Sequence, residues 1–323
     1  MSLVPENHVP ENHVVALCGG VGGAKLAFGL AQVLPPERLT VIVNTGDDFE
    51  HLGLHVSPDI DTVLYTLAGM ADRVRGWGLA GESWNFMDAL GRIGGEQWFL
   101  LGDRDLATHV ERTRRLRAGE SLSAVTTALA RALGIGHRIV PMSDDLVRTI
   151  VATSAGELEF QRYFVAERCE PVVTGLRFAG ANAARIAPDA AAALARDDLG
   201  AVIVCPSNPY LSIDPILAVP GMRAALAGCA APVIAVSPLV GGRAIKGPTA
   251  KLMQELGITP DVAAIAQHYA GLVTRMVIDH ADADQAAALG CPTLVAQTVM
   301  RSDADRAALA RTVLEWAVLE WAA

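Results

Sequence analysis

Apolar residues fall in short unbroken runs, each closed by glycine, proline or a polar cluster. Val14 to Cys18 is such a run; it stops at Gly19-Gly20, and a helical spacing of apolar positions follows from Ala24 to Leu34. Pro35-Pro36 ends that helix, and Leu39 to Val43 forms a second β-rich run that closes in Asn44-Thr45-Gly46-Asp47-Asp48. Strand, helix and strand together make a βαβ unit of about thirty residues. Ala201 to Cys205 and Pro232 to Val236 repeat the apolar-run-then-polar-loop pattern, and Arg138 to Val140, Thr149 to Thr153 and Arg275 to Ile278 read as further strands. Helical spacing recurs at Pro188 to Arg196, Ala250 to Leu256 and Arg306 to Val318. Such alternation predicts an α/β, Rossmann-like fold, a mostly parallel sheet with helices on both faces. From about Thr66 to Gly136 the texture changes to charged, amphipathic segments holding Trp77, Trp84 and Trp98. The pattern therefore predicts a nucleotide-binding core over 14–65 and 137–323, with a mainly helical insertion over 66–136. That insertion is placed to act as a lid over the carboxyl ends of the strands or to form a subunit contact.

Length and composition narrow the picture. The chain has 323 residues, 51% hydrophobic and 19% charged, with a formal charge of −9. It is long enough for one large α/β unit with an insertion. No stretch approaches the roughly 18 apolar residues of a membrane span, and the acidic balance argues against non-specific binding to nucleic acid or anionic membrane. An anionic ligand must then be held locally. The cysteines, Cys18, Cys169, Cys205, Cys229 and Cys291, are scattered singly, as expected of buried thiols in a reducing, cytoplasmic setting. The pentapeptide VPENH occurs at Val4 to His8 and again at Val9 to His13, so 1–13 reads as a disordered or artificial leader rather than a fold element.

Candidate chemistry begins with CGGVGGAK, Cys18 to Lys25. Gly19, Gly20, Gly22 and Gly23 fit neither GxGxxG nor the P-loop, yet glycines after a strand let backbone amides approach phosphate oxygens at the positive end of a helix, where Lys25 adds a charge. A tight turn with a solvated lysine is the plainer reading. Asp47, Asp48, Asp59 and Asp61 follow the second strand. A cluster of this kind suits Mg²⁺ shared with substrate phosphates, whereas N-capping of the next helix accounts for only one of the four. In LGDRDLATH, Arg104 lies between Asp103 and Asp105, either as a rigid phosphate or carboxylate clamp or as an ordinary helix start. Ser207 and Asn208 offer a hydroxyl and an amide, and Gly241-Gly242 with Lys246 forms a second glycine-rich loop. His51, His55, His109, His137 and His268 show no zinc-ligand spacing.

Taken in order, GGVGGAKL, NTGDD, SPDIDTVLYTLAG, LGDRDLATH, PMSDD, CPSNPYLSIDPIL, SPLVGG and KGPTAKLM resemble the 2-phospho-L-lactate transferase family of coenzyme F420 biosynthesis, over about Val14 to Met300. The resemblance implies a cytoplasmic, Rossmann-like homodimer that binds no nucleic acid and no membrane. It implies a small-molecule donor, guanosine diphosphate carrying lactate, phosphoenolpyruvate or glycerate, and the deazaflavin Fo as acceptor, with release of GMP, formation of coenzyme F420-0 or its dehydro form, and Mg²⁺ as cofactor. By this resemblance Gly19, Gly20, Gly22, Gly23 and Lys25 cradle the diphosphate, and Ser207, Asn208, Gly241 and Gly242 complete the nucleotide site. Asp48, Asp59 and Asp61 are the metal candidates, and Asp48, Asp61 and Arg104 the catalytic ones. Val21 stands where the family pattern has threonine or another small residue, which removes a hydroxyl but keeps the amides. The alternative reading is a nucleotide- or nucleotide-sugar-binding regulator without turnover.

Overall fold

The computed structural model describes residues 12–245 and 247–319. Residues 1–11, which hold most of the repeated pentapeptide, and Lys246 lie outside them. The first strand already includes His13, the last residue of the expected leader, whose ring Nε2 pairs with Thr40 Oγ1 at 3.0 Å.

Seven strands build the central sheet: β1 (His13–Cys18), β2 (Leu39–Val43), β3 (Arg138–Pro141), β4 (Leu199–Val204), β5 (Val233–Val236), β6 (Arg275–Asp279) and β7 (Thr293–Ala296). They lie in the order β7-β6-β5-β4-β1-β2-β3, and every pairing is parallel. Continuous apolar runs form these strands because both faces are covered. Val14, Ala16 and Cys18 of β1 point into one core, and Val15 and Leu17 into the other. Helices α1 (Gly20–Val33) and α2 (Pro58–Leu67) pack together over the first core. There a Cβ on Gly29 of α1 would lie 2.1 Å from the Arg306 carbonyl oxygen, so glycine sets how closely the C-terminal helix can approach.

The 66–136 segment, expected as one helical insertion, divides in two. Its loops, with α3 (Asn85–Arg92) and α4 (Asp103–Arg117), reach the core through Leu79 and the flanking Met70 and Leu116, whereas α5 (Leu122–Ala132) packs directly on β3 and contributes Leu122 and Ala130 to the core. The last helix, α6 (Asp303–Leu319), packs against α1. Thr149 to Thr153 is a strand, as expected, but not of the parallel sheet. Arg148–Thr153 is the middle strand of a separate antiparallel sheet with Gly156–Glu159 and Val173–Ala179. Its residues alternate between buried and half-buried, which is the signature of a sheet covered on one face only.

Candidate active site

The strand order reverses direction between β1 and β4, and an open α/β sheet binds ligands at the carboxyl ends of such a pair. The glycine turn leaves β1 here and meets the Pro206-Ser207 loop that leaves β4. A Cβ on Gly22 would lie 2.4 Å from the Pro206 carbonyl oxygen, one on Gly23 2.3 Å from Ser207 Oγ, and one on Gly19 2.6 Å from an Asp59 oxygen. Only Gly20, at φ +64°, needs the left-handed region. Glycine is therefore demanded mainly by close packing. The Gly19 amide donates to Ser207 Oγ at 3.1 Å and the Gly20 amide to Asp59 Oδ1 at 2.7 Å. A carboxylate of the chain thus already sits at the positive end of α1, beside the helix amides that have no partner within the helix. Lys25 Nζ donates to the Met300 carbonyl at 3.1 Å. Asn208 accepts the Tyr210 and Leu211 amides through Oδ1, while its buried Nδ2 has no hydrogen-bond partner in the protein. A buried donor of that kind is suited to a ligand acceptor.

Carboxylates gather around Asn44, which is fully buried. Its Nδ2 donates to Asp47 Oδ1 at 3.0 Å and Asp59 Oδ2 at 2.9 Å, and its Oδ1 accepts the Gly46 amide at 2.8 Å. Burial, reinforced by the charge of Asp59, pushes the Asp47 carboxyl well above the ordinary carboxylate range. Burial likewise raises Asp59, to about 6, although hydrogen bonds from Asn44 and the Gly20 amide pull the other way. Asp48 accepts His55 Nε2 at 3.0 Å and Ser57 Oγ at 2.8 Å through Oδ2, which leaves Oδ1 buried and unpartnered. Among the described residues no group of three or more His, Cys, Asp or Glu side chains is arranged to hold a metal by itself. Two buried carboxylates and an unpartnered third oxygen nevertheless suit a hard cation that takes its remaining ligands from phosphate and water.

Gly19, Gly20, Gly22, Lys25, Asp47, Asp59, Ser207 and Asn208 line one cavity of about 590 Å³. Asp48, Asp61, Arg104, Gly23, Gly241 and Gly242 are not on its wall. Asp61 turns instead to α4, where both its oxygens accept the two terminal nitrogens of Arg112, a side chain with no solvent exposure. His109 joins this pair, its Nδ1 lying 3.7 Å from Asp61 and its Nε2 3.3 Å from Asp105, and Tyr65 donates to Asp105 at 2.5 Å. The network docks the insertion on α2. Asp103 accepts Ser83 Oγ and the Asn85 and Phe86 amides at the start of α3, bonds that hold its carboxyl down at about 2. Arg104 is exposed and donates to the Ala80 carbonyl at 2.9 Å. Gly241 and Gly242 form the left-handed turn of a hairpin, with the Gly241 amide on Asp282 at 2.9 Å; their neighbour Val240 lines the cavity.

Away from the glycine turn the same cavity is aromatic. Trp77, Trp98 and Phe99 come from the insertion, and Phe160 and Phe164 from beside the antiparallel sheet. The tryptophans of the insertion are a visible signal in the sequence, whereas no local pattern announces that Phe160 and Phe164 line the same cavity. Arg75 also lines the cavity, its guanidinium 4.9 Å from the Trp77 ring and 5.0 Å from that of Trp84. Asp47 keeps the place expected of it in the acidic cluster, while Arg75 on the cavity wall and Asn44 behind it are added to the residues expected at the site.

Residues 14–317 match the family described as 2-phospho-L-lactate transferase CofD. The chain belongs to that family of coenzyme F420 biosynthesis. A phosphoenolpyruvate transferase of Streptomyces coelicolor is 43% identical over 277 residues, 84% of this chain and 86% of the relative. A 2-phospho-L-lactate transferase of Methanosarcina acetivorans is 40% identical over 292 residues, 90% and 94% of the two chains. A crystal structure of a UPF0052 family member from Bacillus halodurans superposes with a TM-score of 0.63 over 95% of this chain and 100% of its own, at 14% identity, and bears on the fold alone. The chain is accordingly a transferase with a Rossmann-like fold. No helix among its described residues is long and apolar enough to cross a membrane.

Proposed function

We propose that this transferase moves a phosphoryl group bearing a three-carbon acid from a guanosine-diphosphate-linked donor to the terminal ribityl hydroxyl of Fo, releasing GMP. The acid is lactate, enolpyruvate or glycerate, so that the transferred group is 2-phospho-L-lactate, phosphoenolpyruvate or phosphoglycerate. The observation that carries the reading is a single cavity with an anion-binding turn, Lys25 and two buried aspartates at one part of its wall and five aromatic rings at another. The α1 amides, Lys25 and Asn208 Nδ2 hold the diphosphate and its ribose. The rings stack on the flat deazaflavin. Asp47 and Asp59, with Asp48 Oδ1 behind them, hold Mg²⁺. When bound, the ion neutralises charge on the phosphate oxygens during displacement at phosphorus.

The remaining work falls to the chain itself. The insertion covers one side of the cavity and limits the water that would compete with the ribityl hydroxyl, and the hydroxyl proton passes to a carboxylate oxygen of the Asp47–Asp59 pair that the ion leaves free. No covalent bond to the enzyme is needed. The protein acts as a homodimer in the cytoplasm. Incubation with Fo, Mg²⁺ and guanosine-diphospho-acid donors should yield GMP and a more anionic fluorescent product in equal amounts. A donor that binds while GMP never forms would overturn the assignment.

A further inference from the structure

Arg162 reaches between the two segments that wall the aromatic part of the cavity. Arg162 lies between Phe160 and Phe164, which stack at 5.4 Å and 22° and both line the cavity. Its guanidinium crosses to the insertion and lies 4.0 Å from the Trp98 ring centre. Glu96 completes the contact: its Oε2 accepts both Trp98 Nε1 at 3.0 Å and Arg162 Nη2 at 3.3 Å. The indole is therefore held by its face and by its N–H. His51, 5.0 Å away and nearly perpendicular, and Phe99 hold its edges. None of these contacts touches the glycine turn or the aspartates.

We propose that Arg162 is a positioning residue for the acceptor: it fixes Trp98 as a flat wall on which a tricyclic heteroaromatic ring rests, with Phe160 and Phe164 in the same pocket. This inference rests on the reading of Fo as acceptor. A cation over one indole face, anchored by a carboxylate that also holds the indole N–H, restricts the ring to one orientation. The ion pair itself is exposed and weak. Arg162 acts through Trp98, and the donor half of the cavity is independent of it.

Arg162→Gln and Arg162→Lys are compared with the wild-type chain by the fluorescence anisotropy of Fo, measured without donor, and by steady-state kinetics. Arg162→Gln should weaken Fo binding and raise the acceptor KM by about 3- to 5-fold, the loss of one cation–π contact. The donor KM and kcat at saturation should stay within about 2-fold, and Arg162→Lys should recover most of the loss. Unchanged Fo affinity in Arg162→Gln overturns the inference, as does a parallel rise in both KM values. If the wild-type chain itself fails to bind Fo, the acceptor assignment falls and this inference falls with it; binding by the wild type without an Arg162 effect overturns the inference alone.

Discussion

At the scale of single residues, neighbouring aspartates of one motif have opposite tasks. Asp59 and Asp61 are both in the first turn of α2, yet Asp59 lines the cavity and Asp61 is locked to Arg112. Asp59→Asn should fold normally and lower kcat by roughly 10²-fold or more, checked by circular dichroism beside GMP release. Asp61→Asn should instead cost about 3–5 kcal/mol of stability, because buried Arg112 loses the carboxylate that pairs with both its terminal nitrogens, and a urea titration would measure it. The resemblance makes both aspartates metal candidates and Asp61 a catalytic one as well, the reverse of where the fold places them. The partner that separates them is 51 residues away in sequence, so no local pattern records it. Asp59 also gives the pH dependence a definite sign. Its carboxyl is raised from an ordinary 3.8 to about 6, so its contribution favours the fold most below about pH 4 and is lost as the pH rises through 6. The melting temperature of Asp59→Asn should therefore gain on that of the metal-free wild type between pH 4 and 7. Adding Mg²⁺ above pH 6 should raise the wild type and leave the variant little changed.

At the scale of elements, the turn between β1 and α1 is shaped by its neighbours more than by its own dihedral angles. Gly22→Ala presses a methyl group into the Pro206 carbonyl and should cost about 1–3 kcal/mol while raising the donor KM, measurable by thermal melting and by donor titration. The parallel strands were legible because burial on both faces writes them as unbroken apolar runs, as in Val14 to Cys18 and Leu39 to Val43. The glycine turn was legible for the same reason: it follows such a run directly. Thr149 to Thr153 also looks like a strand, but nothing in five residues tells which sheet it joins; that choice is made by its antiparallel partners Gly156–Glu159 and Val173–Ala179. The GDRD segment was legible as polar chemistry yet serves architecture here, since Asp103 caps α3 and Arg104 holds the loop at Ala80. Convergence of Trp98 with Phe160 and Phe164 is a property of the folded chain, set by how two units close on one cavity.

At the scale of the whole molecule, the site draws on the beginning, middle and end of the sequence. The turn after β1, the loop after β4, the insertion and the segment Thr298-Val299-Met300 all meet on one wall. Disrupting the insertion's attachment should therefore alter acceptor binding without touching the diphosphate contacts. Arg112→Met, which leaves Asp61 buried and unpaired, should loosen α4 from α2 and raise the acceptor KM more than the donor KM, with increased protease sensitivity between residues 66 and 117 as the independent measurement. The contact between Lys25 and the Met300 carbonyl, beside α1 packed on α6, carries a further consequence for the order in which the protein matures. On the ribosome, the first βαβ unit emerges early, but its lysine and the exposed flank of its helix wait for the last segment to be made. On the proposed reading, a nascent polypeptide stalled before Thr298 would carry the glycine turn without the part of the cavity wall that Thr298, Val299 and Met300 supply, and should hold its donor more weakly than the finished chain.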